Sequence, residues 1–518
     1  MKSGEKNPGK ELYNQLRRLS CAQLWEEEVP RFNRATPQER IERVAVIRAV
    51  GVVFSETGTV EEKNEARLWL LGLLSDPGEK VRRYAMTALP KIGAGPEEEK
   101  ALLSLLQTTS NDREKKFLGE TLDKIGGVAT LEILGKDSHR LHPQTEQKVK
   151  ASVARSQSPG EVCMDRVLAN FAGLRIHLRG RAGLEQFVRD EVEESVQSRG
   201  KFRVTEVRSG LVAMTPVAPF SLADLFSLRC FGTVGFVPGT VSVPNETESI
   251  EALAALITSP LSRRVLETFT EGTVRYRLNF VAKGHQRGAV RLLANRAYAL
   301  CPQILNDARD ALWAIDIHPA GRGNSVELRP RLSPDPRYYF RRQDVPAASH
   351  PPLAACMARL AGKLENGIVW DPFCGSGSEL IERALLGGVR CVHGTDLSEE
   401  AIDITRENFS AAKVDRVQSK FSCCDFRDYP RIAGLDRDSV SLILTNPPMG
   451  KRVPIPNLRG LIEDLFAVAA KVLRPGGKLV FANPLFVQCN QPSLKMQSSR
   501  VVDFGGFDCR VEMYQKTG

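Results

Sequence analysis

The sequence predicts a multidomain chain with three parts: an N-terminal α-solenoid, a middle α+β region and a C-terminal doubly wound α/β domain. Three observations lead there. A helical segment matches itself when slid by 33 residues, a polar stretch then leads into short strands and helices in mixed order, and from Ile368 strands and helices alternate. At 518 residues the chain exceeds what one ordinary core supports. With 42% hydrophobic and 26% charged residues it has the balance of a folded chain, not of a disordered or fibrous one. A formal net charge of +10 favours a polyanionic partner, and RNA, DNA or an acidic membrane would each fit it. The eleven cysteines show no CxxC spacing, so free thiols in a reducing compartment are expected and no metal site is. Met1 to Arg18 is polar and lacks an apolar h-region, and no run nears the roughly 18 apolar residues of a membrane span. A cytoplasmic location without membrane contact is the expectation.

Residues 37–134 carry apolar positions at the helical period, broken by turns such as Asp76-Pro77-Gly78 and Asn111-Asp112. Sliding by 33 residues brings Arg82, Ala85, Leu89, Lys91, Ile92 and Gly93 onto Lys115, Leu118, Leu122, Lys124, Ile125 and Gly126. Each unit would bury its stripe only by stacking on the next, which is the logic of a solenoid. The stretch resembles HEAT-like repeats, and residues 1–134 are read as that region. An ordinary helical bundle is the competing reading. Such arrays commonly hold partners, so a protein partner on the repeats is an expectation of the resemblance alone.

Residues 135–162, polar from Gly135 to Pro159-Gly160, read as a linker. Beyond it, 163–340 alternates short elements. A strand at Leu174–Leu178, a helix at Gly183–Val196 and a hairpin turning at Ser209-Gly210 come first. Helices at Ser249–Ile257 and Pro260–Phe269 follow, then a strand at Thr273–Val281, a helix at Ala289–Leu300 and strands near Leu312–Ile317 and Val326–Leu332. From Arg275 to Asn306 there is no acidic residue, while Arg275, Arg277, Lys283, Arg287, Arg291 and Arg296 all fall there. A one-sign run is often only a solvated face. Here it surrounds a glycine-bearing turn opening a helix, where amide groups, helix dipole and arginines can meet phosphates. The segment resembles a ferredoxin-like domain followed by a THUMP domain. That resemblance implies RNA gripped by shape and backbone, with Arg341 and Arg342 just beyond it as further contacts.

The third part, 341–518, carries the chemistry. The strand Ile368–Trp370 runs into Asp371-Pro372-Phe373-Cys374-Gly375-Ser376-Gly377, then a helix from Ser378 to Leu386. The loop lacks the Lys-Ser or Lys-Thr of a phosphate cradle and the GxGxxG of a dinucleotide site. With an aspartate at its head it suits a ligand bearing an amino group, such as the methionine end of S-adenosylmethionine. The next strand ends in Asp396-Leu397, 25 positions after Asp371, where a carboxylate can accept ribose hydroxyls. A third strand ends at Asp425-Phe426, suited to an adenine amine and ring. A fourth, Ser439–Thr445, delivers Asn446-Pro447-Pro448-Met449-Gly450. An exocyclic amine is a poor nucleophile, because its lone pair is delocalised into the ring. Two acceptors, the Asn446 side-chain oxygen and the Pro447 carbonyl, can turn that lone pair toward a methyl donor without a general base.

These four loops resemble class I S-adenosylmethionine-dependent methyltransferases of the amino-methylating kind. The resemblance implies cofactor contacts from Asp371, Phe373 to Gly377, Asp396, Leu397, Asp425, Phe426 and Asn446. It implies a catalytic Asn446, Pro447, Pro448 and Met449, and assigns His350 to a cofactor-closing segment at Arg342–Ala354. Met449 departs from the usual stacking Tyr or Phe. Together with the THUMP-like segment, the order of parts resembles guanine-N2 methyltransferases of ribosomal or transfer RNA, acting on a base flipped from its helix. DNA adenine or protein glutamine methylation is the alternative within enzymes. An RNA-binding scaffold with an inactive catalytic domain is the alternative outside them.

Overall fold

The computed structural model describes residues 8–136, 143–157, 159–196, 198–242, 246–281, 286–321, 323–346, 348–450 and 455–517. They form two compact units. The first takes Met1–Glu161, Asn245–Thr258 and Thr270–Trp313; the second takes Val162–Pro244, Ser259–Phe269 and Ala314–Gly518. The units therefore cut across the expected middle segment.

In the first unit the N-terminal region is helical: α1 (Ala45–Thr57), α2 (Val60–Gly72), α3 (Glu79–Ile92), α4 (Pro96–Thr108), α5 (Asp112–Ile125), α6 (Val128–Lys136) and α7 (Pro143–Gln157). Local chemistry sets their starts. Thr59 and Glu62 close a capping box on α2, and Asn111 accepts from the first amides of α5. The odd-numbered helices pack in the series α1, α3, α5, α7, with α2, α4 and α6 packed on their flank. Where α1 meets α3 a Cβ on Gly51 would lie 2.7 Å from that of Ala88, so the glycine permits the close crossing. Charged groups at the seams are paired: buried Glu114 accepts from Arg82 Nε (2.6 Å) and Nη2 (3.0 Å) and from Thr109.

The linker expectation for 135–162 is corrected over its described part. Residues 143–157 are helix α7, with Val149, Ala151 and Ala154 buried and Arg155 paired to Asp307 at 2.8 Å. Sparse apolar positions among Lys, Gln and Ser conceal the helix in the sequence. The same unit holds α8 (Glu246–Ile257) packed on α9 (Arg287–Leu300), and strand Leu305–Asn306 parallel to strand Arg275–Phe280.

The second unit contains two large sheets beside a short antiparallel pairing of Val167–Leu168 with Phe220–Ser221. In one, strands β1 (Arg175–Arg179), β2 (Phe202–Arg208), β3 (Leu211–Pro216), β4 (Thr233–Val241), β5 (Trp313–Ala320) and β6 (Gly323–Pro330) lie in the order β5-β6-β4-β1-β3-β2. Strand β4, which pairs with both β1 and β6, went unread because Gly235, Pro238 and Gly239 look like breakers. The other sheet comprises β7 (Gly367–Asp371), β8 (Val389–Asp396), β9 (Gln418–Cys423), β10 (Val440–Thr445), β11 (Leu473–Asn483), β12 (Leu494–Asp503) and β13 (Asp508–Lys516). Its order is β9-β8-β7-β10-β11-β13-β12, parallel from β9 to β11 and closed by an antiparallel pair. This is the expected Rossmann-like arrangement. Helices α10 (Pro351–Leu360), α11 (Ser378–Leu385), α12 (Glu399–Ala411) and α13 (Leu458–Val472) accompany it; α10 and α12 were not foreseen. Every residue of β10 is buried, as a strand covered on both faces requires. On either side of β7 the strand order reverses, and in open α/β sheets ligands bind at the carboxyl ends of strands at that point. Among the described residues no helix is long and apolar enough to cross a membrane.

Candidate active site

The carboxyl ends of β7 to β10 open into one cavity of about 940 Å³. Its wall takes Pro372, Phe373, Cys374, Gly375 and Ser376 from the loop after β7, Asp396 and Leu397 from β8, Asp425 and Phe426 from β9, and Asn446 to Met449 from β10. The structure thus brings most of the expected cofactor and catalytic residues together.

Two expected contacts lie beneath the wall instead. Asp371 is fully buried, and its Oδ1 accepts from the Thr445 hydroxyl and from the Phe373 amide at 3.0 Å. Burial, with the Glu379 charge beside it, pushes this carboxyl well above the ordinary range. Its place is to brace the loop, tying β7 to β10. Gly377 (φ +81°) makes the turn into α11, where a Cβ would come within 3.1 Å of Thr405. Thr405 Oγ1 also donates to the Gly375 carbonyl at 2.7 Å, so the loop is clamped from α12.

Asp396 is held by two backbone amides. Gly375 N–H donates to Oδ2 and Ser398 N–H to Oδ1, each at 3.0 Å. Each carboxylate oxygen keeps a further lone pair for a ligand hydroxyl. Asp425 accepts from the Arg427 amide at 2.9 Å and pairs with its guanidinium at 2.8 Å, so its carboxylate is partly committed. Phe373 and Phe426 pack on each other with ring centroids 5.0 Å apart, and both contribute apolar surface to the cavity wall.

At the end of β10 the Asn446 Nδ2 donates to Ser349 Oγ at 2.8 Å, and Ser349 donates in turn to Glu379. Asn446 Oδ1 is buried and has no partner. His350 follows Ser349 at the entry to α10 and lines the cavity. The surrounding protein, with the cations of Arg181, Arg341 and Arg337, pushes its imidazole down to about 4. His350 is exposed, and its ring is neutral at physiological pH. Arg341 also lines the cavity and pairs with Asp344, whereas the side chain of Arg342 is exposed elsewhere and its amide donates to Asn408 at 3.0 Å.

Sequence reasoning missed part of the wall. Phe504 and Phe507, ring centroids 5.9 Å apart, flank Gly505-Gly506 at the tip between β12 and β13, and both line the cavity with Arg181, Glu379 and Arg427. The Gly505-Gly506 pair was the available signal of a turn there. That the tip turns toward the cavity had none.

The basic run divides. Arg275 is corrected: it is 1% exposed and paired with Asp310 at 2.8 Å and Asp307 at 3.6 Å, so it is a core ion-pair residue without access to RNA. Both partners come from just past the acid-free stretch, which is why the run hid them. Arg296 pairs with Glu251, and Arg277 donates to Asn279 at 3.2 Å. Arg287 and Arg291 stand exposed on the first turns of α9, which carry no acidic residue. Lys283 lies outside the described residues.

Residues 338–485 match the family model described as an RMKL-like methyltransferase domain. Among curated proteins, the chain is 33% identical over 171 residues to a tRNA (guanine(6)-N2)-methyltransferase of Thermus thermophilus, covering 32% of this chain and 49% of the relative. It is 30% identical over 170 residues to a tRNA (guanine(10)-N2)-dimethyltransferase of Methanocaldococcus jannaschii, covering 31% of this chain and 45% of the relative. The chain thus spans about half the length of these relatives. The crystal structure of TrmN from Thermus thermophilus superposes with a TM-score of 0.53 at 21% identity, over 66% of this chain and 99% of that one, which establishes likeness of fold.

Proposed function

We propose that the protein is an S-adenosylmethionine-dependent RNA methyltransferase that modifies an exocyclic amine, guanine N2 in transfer RNA before ribosomal RNA. The observation that carries this reading is the buried, unpartnered Oδ1 of Asn446, a residue that lines the cavity together with Pro447. An unsatisfied buried acceptor costs about 1–3 kcal/mol, so it persists where a donor is to arrive. A ring amine supplies two N–H donors, one for Asn446 Oδ1 and one for the Pro447 carbonyl.

The residues present also fit the cofactor. Asp396 has lone pairs free for ribose hydroxyls, Phe373 and Phe426 offer apolar surface for adenine, and the Pro372–Ser376 loop leaves room for a methionine tail. When bound, S-adenosylmethionine supplies an electrophilic methyl group. The chain's own part is to hold the amine and to exclude water with Phe504, Phe507 and Met449. Guanine in tRNA is favoured by what the curated relatives are named for. The HEAT-like reading of residues 1–134 is supported by the two-layered packing of its helices, and the THUMP-like reading by the strand and basic helix at 275–300. With Arg275 removed, Arg287 and Arg291 are the strongest phosphate contacts, and Arg277, Lys283, Arg296, Arg341 and Arg342 remain secondary.

The test is partition of label. Purified protein with tritiated cofactor and a mixture of tRNA, ribosomal RNA, duplex DNA and total protein should label tRNA, and Asn446→Ala should abolish the signal. Label on DNA or protein alone would replace the reading with an adenine or glutamine methyltransferase. Equal rescue of a deletion by wild type and Asn446→Ala would favour a scaffold.

A further inference from the structure

We propose that Ser349 and Glu379 are positioning residues that set which edge of the Asn446 amide is kept from Ser349 and left without a partner for an incoming amine. The inference rests on the amine-methylation reading above and deepens it. An asparagine amide presents an acceptor on one side and donors on the other, and the two are nearly equal in shape. Only the acceptor serves to hold an amine hydrogen. Something must therefore choose the orientation.

The choice is made by polarity along three groups. Glu379, in the first turn of α11, is a buried carboxylate that accepts from Ser349. A hydroxyl has a single proton, so once Ser349 donates it to Glu379 only its lone pairs face Asn446. The Nδ2 of Asn446 then donates to Ser349 Oγ at 2.8 Å, and Oδ1 is left turned away from Ser349 without a partner. Rotating the amide by half a turn would set Oδ1 against a hydroxyl oxygen with no proton between them.

The frame holding these groups is stiff. Pro351 and Pro352 occupy the first positions of α10 directly after Ser349-His350, which fixes the backbone there. Ser349 is 9% and Glu379 3% exposed, so little of either is open to water. Burial raises the Glu379 carboxyl, while the Ser349 hydroxyl and the Arg341 cation favour its charged form.

A double-mutant cycle on the full chain tests the arrangement. Ser349→Ala removes the hydroxyl, and Glu379→Gln removes the charge at constant volume. Each should lower the single-turnover rate on tRNA by on the order of tenfold, with cofactor Kd and RNA KM within about threefold of wild type. Because the residues act in series, the double variant should be no slower than Ser349→Ala. Ser349→Thr, which keeps the hydroxyl, should restore most of the rate. Rates that multiply in the double variant, or a Ser349→Ala rate within twofold of wild type, would overturn the proposal. Should Ser349→Ala unfold, as near-ultraviolet circular dichroism would reveal, the Glu379→Gln and Ser349→Thr pair decides. A slow Glu379→Gln beside a fast Ser349→Thr upholds the arrangement, and any other outcome of that pair overturns it. Wild-type protein that labels no amine would instead sink the broader reading, so the two failures separate.

Discussion

A ring amine offers two hydrogens and a delocalised lone pair, so the smallest protein unit able to activate it is a pair of fixed acceptors. In the proposed function Asn446 and Pro447 are that pair. Replacing Asn446 with alanine should lower the single-turnover rate by about 10²-fold or more while cofactor Kd changes less than threefold. A large loss of cofactor affinity would place Asn446 in cofactor binding instead. A second residue-scale consequence concerns His393, which is 2% exposed and whose imidazole burial and Lys420 push down to about 4. The unfolded chain takes up that proton near pH 6.5 and the folded chain does not until about pH 4. Stability from this neutral histidine is therefore complete above about 6.5 and is lost as pH falls toward 4, by roughly 3 kcal/mol at most. His393→Gln should flatten the dependence of urea midpoints on pH in that window, and an unchanged slope would refute the assignment. At this scale the sequence was legible wherever a motif prescribes a loop, as with Asp396 and Asn446. For Asp371 the sequence could not show that one oxygen is taken by Thr445 and the Phe373 amide, because a carboxylate at a strand end serves equally to accept from a ligand or from its own loop.

Elements were legible in proportion to how plainly they alternate between core and turn. Strand β10 announces itself as an unbroken apolar run, and the turns of the N-terminal helices by Asp-Pro-Gly and Asn-Asp. Helix α7 and strand β4 did not show, since one is mostly polar and the other carries two glycines and a proline. Tertiary partners decide both. The seams between helices are ionic as well as apolar, and Arg82 to Glu114 bridges α3 to α5 about one repeat length apart. Glu114→Ala strands Arg82 and Thr109 at once, and should cost the helical region about 2 kcal/mol. Differential scanning calorimetry should show the helical region melting earlier, with cofactor Kd untouched. An unchanged trace would mean that the pair is only incidental to the packing.

At the scale of the molecule, the excess of ten positive charges was readable from composition, but its distribution was not. Arg275 turned inward to Asp307 and Asp310, while Arg287 and Arg291 stayed outside. The division into two units was equally hidden, because the first gathers Asn245–Thr258 and Thr270–Trp313 to helices more than a hundred residues earlier. Contacts that distant in sequence leave no local pattern. If α9 faces phosphate, Arg287→Glu together with Arg291→Glu should weaken tRNA binding and reduce the slope of log K against log salt by about 1–2. Equal affinity at low salt would leave those arginines as solvated surface. The central claim, methylation of a guanine amine in RNA, meets its most direct test in the identity of the product. Purified protein, deuterated-methyl cofactor and unmodified tRNA transcripts, followed by digestion and nucleoside mass spectrometry, should yield N2-methylguanosine carrying the heavy methyl group. Heavy methyl on adenosine or cytidine, or on no nucleoside, would contradict the account.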